Sequence, residues 1–147
     1  MVLCVGYVIR VYVRWAYNFA TIEKGIPTVI MDYVNFKGAN FRRTKLNAVR
    51  FRGANLQGAN FKNVILDMVD FIDTNLQGAN LENANLISTG LSNANLQDTN
   101  LKYANLERAD LSFANLSHAN VEGARVKDVN SFKANIEGVD LDTVFQY

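Results

Sequence analysis

The sequence predicts an all-β solenoid of stacked coils, and three observations predict it. An apolar residue recurs at every fifth position from Phe36 to Leu141, with Ser131 the one exception. A small residue stands two places before each of those centres, and a longer period of twenty runs on top of the shorter one. An internal period of this kind outranks any local propensity in deciding a fold.

Residues 1–33 precede the repeat and are expected to form a strand-like cap or a leader segment. From Val5 to Phe19 every odd position is apolar (Val5, Tyr7, Ile9, Val11, Val13, Trp15, Tyr17, Phe19), while the even ones include Gly6, Arg10, Arg14 and Asn18. Period two, rich in β-branched and aromatic residues, describes a strand with one buried face. A signal peptide needs positive charge ahead of its apolar stretch, and Met1 to Ile9 carries none. A membrane span needs about 18 uninterrupted apolar residues, and Arg10 and Arg14 interrupt this one. No membrane span is expected, although the apolar N-terminus leaves export open. Met31 stands immediately before the repeats, so a start there is open as well.

Residues 34–142 are the repeat. Of the twenty-two centres only Ser131 is not apolar, and the residue two places earlier is Ala, Val or Thr in every unit. One place before the centre, seventeen of the twenty-two are Asn or Asp. The two positions after the centre are expected to vary freely. A period of five is neither 3.6 nor 2, so neither a helix nor an ordinary strand explains it. The chain must turn inward twice per unit, once with a small residue and once with a large one. Such units bury their apolar residues only when successive turns stack.

Runs such as Ala54-Asn55-Leu56-Gln57-Gly58, Ala104-Asn105-Leu106-Glu107-Arg108 and Ala109-Asp110-Leu111-Ser112-Phe113 resemble the A-[DN]-L-x-x unit of the pentapeptide-repeat proteins. The resemblance implies a right-handed quadrilateral β-helix, with four units forming the four sides of each coil. The sequence offers its own check on four-sidedness. Asn55-Leu-Gln-Gly-Ala-Asn60 recurs twenty residues on as Asn75-Leu-Gln-Gly-Ala-Asn80, and again as Asn95-Leu-Gln-Asp-Thr-Asn100. The five units lacking Asn or Asp (Lys45, Arg50, Ile65, Gly90, Arg125) all fall on two of the four sides. At strand-like spacing of about 4.8 Å, about 5.5 coils give a rod of about 26 Å. Residues 143–147 remain as a short tail, in which Phe145 and Tyr147 are placed to lid the last coil.

Chemistry for catalysis is missing, and the chain is expected not to be an enzyme. His118 is the only histidine, which excludes a Ser/His/Asp triad or a metal-histidine cluster. Cys4 is the only cysteine, so no internal disulfide or CxxC exists, and a reducing, cytoplasmic setting fits. No catalytic, cofactor-binding or metal-binding residue is expected, and no cofactor.

Partner binding is left. A row of outward apolar residues, Ile65, Met68, Ile72, Ile87, Phe113 and Phe132, falls on the two irregular sides and forms a candidate interface along one edge. The other reading of that row is that residues 1–30 fold back over it. Residues 34–66 carry seven basic side chains (Lys37, Arg42, Arg43, Lys45, Arg50, Arg52, Lys62) and no acidic one; residues 67–147 carry five basic and twelve acidic. A rod built this way has a basic end, which is either a solvated surface or a site for an acidic partner. Another protein is the expected partner, nucleic acid is disfavoured, and open coil ends make end-to-end pairing of two copies plausible. Resemblance also supplies an alternative function, a DNA-mimicking protein that binds a topoisomerase, DNA gyrase. Members that do so present an acidic rod and a C-terminal dimerising module. This sequence balances twelve acidic against twelve basic residues across the repeat, and only Asp142 to Tyr147 follow Leu141.

Overall fold

The computed structural model describes residues 21–23 and 26–144. Cys4, the alternating stretch Val5 to Phe19, and the pair Phe145 and Tyr147 lie outside the described residues.

Every repeat unit is one short extended step followed by one tight turn. The carbonyl of each centre accepts an N–H three residues on, as from Ala39 to Phe36 at 2.9 Å and from Ala79 to Leu76 at 2.9 Å. The third residue of each turn, two places after the centre, has a positive φ of 54–70° in all units from Tyr33 to Gly138. That conformation favours residues with little or no Cβ strain. The second position after the centre therefore does not vary freely: Gly, Asn or Asp fills twelve of its twenty-two places.

The Asn or Asp ahead of the centre has an equally local cause. All seventeen accept, through the side-chain oxygen, the N–H of the residue two places on; Glu82 N reaches Asn80 Oδ1 at 3.0 Å and Ser112 N reaches Asp110 Oδ1 at 3.0 Å. This N–H sits inside the turn, where the coil ladder supplies no acceptor, so the short polar side chain closes it.

One turn of the coil takes twenty residues. Sixteen isolated parallel bridges join residues twenty apart, from Asn35–Asn55 through to Asn115–Asn135. Leu76 N donates to Asn95 O at 2.8 Å and Gly78 N to Gln97 O at 2.9 Å, while Asn75 N donates back to Ala54 O at 3.0 Å. Four units therefore make a turn, and four stacks of centres run along the molecule. The first stack starts at Phe36, the second at Phe41, the third at Leu46 and the fourth at Met31 and Phe51. Long strands cannot form, because a left-handed residue interrupts the chain every fifth position. Among the described residues, longer strands occur only near the start: β1 (Thr21–Glu23) pairs antiparallel with β2 (Ile26–Ile30), which pairs parallel with β3 (Val49–Arg50). The register also runs one unit upstream of residue 34. Val29 and Met31 are buried in the same core, and Met31 N donates to Arg50 O at 2.7 Å.

Centres fill the interior. Phenylalanines crowd the early coils, with Phe41 stacked on Phe61 at 4.6 Å and Phe51 on Phe71 at 5.4 Å, and edge-on contacts between the stacks. Leucines take over from Leu76, and each buried centre contributes on the order of 1.5–3 kcal/mol. Where Thr replaces Ala at the small position, its hydroxyl finds a backbone carbonyl. Thr74 donates to Phe71 O at 2.6 Å, and Thr99 to Leu96 O at 2.7 Å. Among the described residues no buried side-chain polar atom lacks a partner.

Candidate interaction surfaces

Three outward features are built on this frame. The first is the apolar flank. Ile65, Met68, Phe113 and Phe132 are 51–58% exposed, whereas Ile72 and Ile87 are half-buried. Phe113 is the left-handed turn residue of its unit, and Phe132 follows the centre one coil later on the same stack. Phe113 N donates to Phe132 O at 2.8 Å, and the two rings meet edge to face at 5.5 Å. Lys133 completes the patch, with its Nζ 5.7 Å from one ring centroid and 5.4 Å from the other.

The six residues do not form one row. The column of residues after the centre on the fourth stack reads Arg52, Ile72, Ser92, Ser112, Phe132 at twenty-residue steps. Ser112 Oγ and Ser92 Oγ bond to each other at 3.1 Å, a polar break between Ile72 and Phe132. Met68 N donates to Ile87 O at 3.2 Å, which joins those two residues in an earlier patch. Ile72 leans over Gly90 nearby. The flank thus carries two apolar patches.

The basic end is partly neutralised. Arg50 pairs with Asp32 at 2.7 Å, Arg52 with Asp70 at 2.5 Å, and Lys62 with Glu82 at 2.8 Å. Lys37, Arg42, Arg43 and Lys45 are exposed in the first coil and have no ion-pair partner among the described residues. Further along, Lys102 pairs with Glu122 at 2.7 Å and Arg125 with Glu107 at 2.8 Å. The hydrogen bond with Glu122 raises the Lys102 ammonium above its ordinary range, and Lys102 holds the Glu122 carboxyl below its own.

The third feature, which sequence reasoning missed, is an open mouth at the C-terminal end of the coil. A cavity of about 500 Å³ has Leu106, Leu111, Leu116 and Val121 as its floor and Val126, Ser131, Ile136 and Leu141 around it. Ile136 and Leu141 are 44% and 49% exposed, although they occupy centre positions. Ser131, the one polar centre, was the only signal for it in the sequence. Tyr103 was also missed: it lies across Gly123 one coil on, where a Cβ would collide with the ring, and Lys102 sits 5.0 Å from that ring.

His118 is an exposed turn residue beside Gly138. Among the described residues no group of three or more His, Cys, Asp or Glu could hold a metal ion, and no helix is long and apolar enough to cross a membrane.

Comparison with known proteins agrees with this architecture. A family model described as "Pentapeptide repeats (8 copies)" matches residues 35–67, 65–102 and 90–128, together more than half of the chain. No curated protein matches by sequence. Among solved structures, the chain is similar to a pentapeptide repeat protein from the thylakoid lumen of Arabidopsis thaliana. The two are 33% identical with a TM-score of 0.54, over 67% of this chain and 66% of that one. It is also similar to HetL from the cyanobacterium Nostoc sp., a pentapeptide repeat protein involved in heterocyst differentiation regulation. There the identity is 23% and the TM-score 0.49, over 80% of this chain and 60% of that one. QnrB1, a plasmid-mediated fluoroquinolone resistance protein, is 20% identical with a TM-score of 0.45, over 76% and 71%. The chain spans a little under two thirds of the length of the first two.

Proposed function

Because the chain belongs to the pentapeptide-repeat family, we propose that it is a non-enzymatic scaffold whose rod binds another protein along its flank. In this reading residues 34–142 wind as about 5.5 right-handed, four-sided coils, residues 1–33 cap or lead into them, and the cytoplasm is the working compartment. The observation that carries the reading is the aromatic patch of Phe113 and Phe132. Two phenylalanine rings, each more than half exposed, stand at adjacent positions held by a backbone hydrogen bond. A rigid backbone presents them at little cost in side-chain ordering, which is what an interface anchor requires. Ile65, Met68, Ile72 and Ile87 form a second contact area on the same flank. Lys37, Arg42, Arg43 and Lys45 mark the end at which an acidic partner would be steered.

A DNA-mimicking role at a topoisomerase asks for an unbroken acidic flank. Asp70, Glu82, Glu107 and Glu122 are each paired with Lys or Arg, which interrupts the acidic surface at four places. The protein-binding scaffold is the better reading.

A pull-down comparing the native chain with the double variant Phe113→Ser/Phe132→Ser, beside Met68→Ser/Ile87→Ser, tests it. The expected result is a partner retained by the native chain and lost from the Phe113/Phe132 variant. A partner held equally by all three would remove the flank from the account.

A further inference from the structure

We infer that the chain stacks head to tail with a second copy of itself, in the register that continues its own coil.

Backbone polarity is the first reason. From Phe51 to His118, each unit gives two N–H groups to the coil that follows and receives one in return. Leu116 N donates to Asn135 O at 2.7 Å and His118 N to Glu137 O at 2.8 Å, while Asn135 N donates back to Ala114 O at 2.9 Å. The C-terminal edge of a coil is therefore rich in donors and its N-terminal edge rich in acceptors. In the last coil the N–H groups of Ile136 and Gly138 have no backbone acceptor among the described residues. In the first coil the carbonyls of Asn35 and Lys37 have no backbone donor among them. A second copy placed one turn beyond the last coil brings those carbonyls opposite those N–H groups. An open edge of this kind is a template for another chain. Two C-terminal ends brought together would set donors mostly against donors.

Charge is the second reason, and it points to the same register. On the second stack, the residues just after the centres pair at a separation of twenty: Lys62 with Glu82 at 2.8 Å and Lys102 with Glu122 at 2.7 Å. That column begins with Arg42 and ends with Asp142; the same column on the first stack begins with Lys37 and ends with Glu137. All four are exposed and without an ion pair among the described residues. Five twenty-residue turns separate each cation from the anion at the other end of its column. Continuing the coil into a second copy gives Asp142 and Arg42 the relation that Glu82 and Lys62 already have in reverse, and it does the same for Glu137 and Lys37.

The two ends also differ in need of cover. Phe41 and Leu46 in the first coil are wholly buried, whereas Ile136 and Leu141 are about half exposed around the cavity. β1 pairs with Ile26 to Thr28, ahead of the part of β2 that pairs with β3, and among the described residues no backbone group bonds to the N-terminal edge of the first and second stacks. Contacts of this heterologous type do not close on themselves unless the rotation returns, so stacking extends beyond two copies. It takes residues 1–33 as leading into the first coil without closing it and makes a second copy the acidic partner of Lys37 and Arg42, while the reading of the apolar flank is tested separately.

Sedimentation of the full chain over a range of concentrations, at low and high salt, is the test. Species larger than a dimer are expected as concentration rises, and weaker association at high salt, because exposed charges are screened beyond about 10 Å at 0.1 M. Lys37→Glu/Arg42→Glu and Glu137→Lys/Asp142→Lys should each weaken association about tenfold. Melting temperatures that match the native chain will show that both variants fold. An equimolar mixture of the two should recover association, since each supplies the end that the other lacks. The inference is overturned if the native chain stays monomeric at every concentration, or if the mixture associates no better than its parts. It is equally overturned if Lys37→Glu/Arg42→Glu associates as the native chain does, which is the outcome of pairing through two C-terminal ends.

Discussion

Asn95 shows how much one side chain settles locally. Its Oδ1 accepts from Gln97 N at 3.2 Å and from Asn115 Nδ2 at 3.4 Å, and its own Nδ2 donates to Asn75 Oδ1 at 3.4 Å. Asn95→Ala leaves the turn N–H unpaired and should cost about 1–2 kcal/mol in chemical denaturation. Asn95→Asp keeps the acceptor and should cost less. The Lys102–Glu122 pair makes a prediction in pH. Glu122 is held below its ordinary value of 4.5 by the hydrogen bond from Lys102, so its contribution is present above that value and lost as pH falls through the lowered one. Lys102 is raised above 10.5 by the same bond, so its contribution is present below that value and lost only as pH rises through the raised one. Both groups are engaged at neutral pH. A melting deficit of Lys102→Met seen there should therefore shrink as the solution is acidified well below pH 4.5, and a deficit unchanged in acid would contradict the pairing. At this scale the Asn and Asp positions were legible because a specific side-chain oxygen is needed. The left-handed turn residue was not, because Arg43, Met68 and Phe113 hold that backbone under constraint from the stacked coils, and nothing in their side chains announces it.

The element that repeats is the coil, and its period made the fold readable. Five-residue spacing fixed which side chains point inward, and twenty-residue spacing fixed which ones lie over one another. Reading the outward residues at the same twenty-residue step would have separated Ile72 from Phe132 across Ser92 and Ser112; grouping them only by side merged two patches into one row. The Phe113–Lys133 contact was harder to foresee, since it needs a side-chain direction as well as a register. In the last coil Ser131 leaves the core underfilled beside a cavity of about 500 Å³. Ser131→Leu should raise the melting temperature by adding apolar contact at a centre position. An unchanged or lower value would show that residue 131 does not face the interior.

For the whole molecule, the same stacking that buries the centres arranges charge into columns. Ion pairs form between neighbouring coils, and two of them, Arg52–Asp70 and Lys62–Glu82, join the basic block of 34–66 to the acidic block of 67–147, while the ends keep charges of opposite sign. All of this depends on residues twenty apart being neighbours, and disulfide trapping measures that directly. With Cys4 replaced by Ser, Gln57→Cys/Gln77→Cys places two thiols on adjacent coils, where a strand-like spacing of about 4.8 Å suits a disulfide. Gln57→Cys/Ile72→Cys places them one unit short of a full turn. Mild oxidation should close the first pair and leave the second reduced; equal closure of both, or closure of the second alone, would contradict a coil of twenty residues.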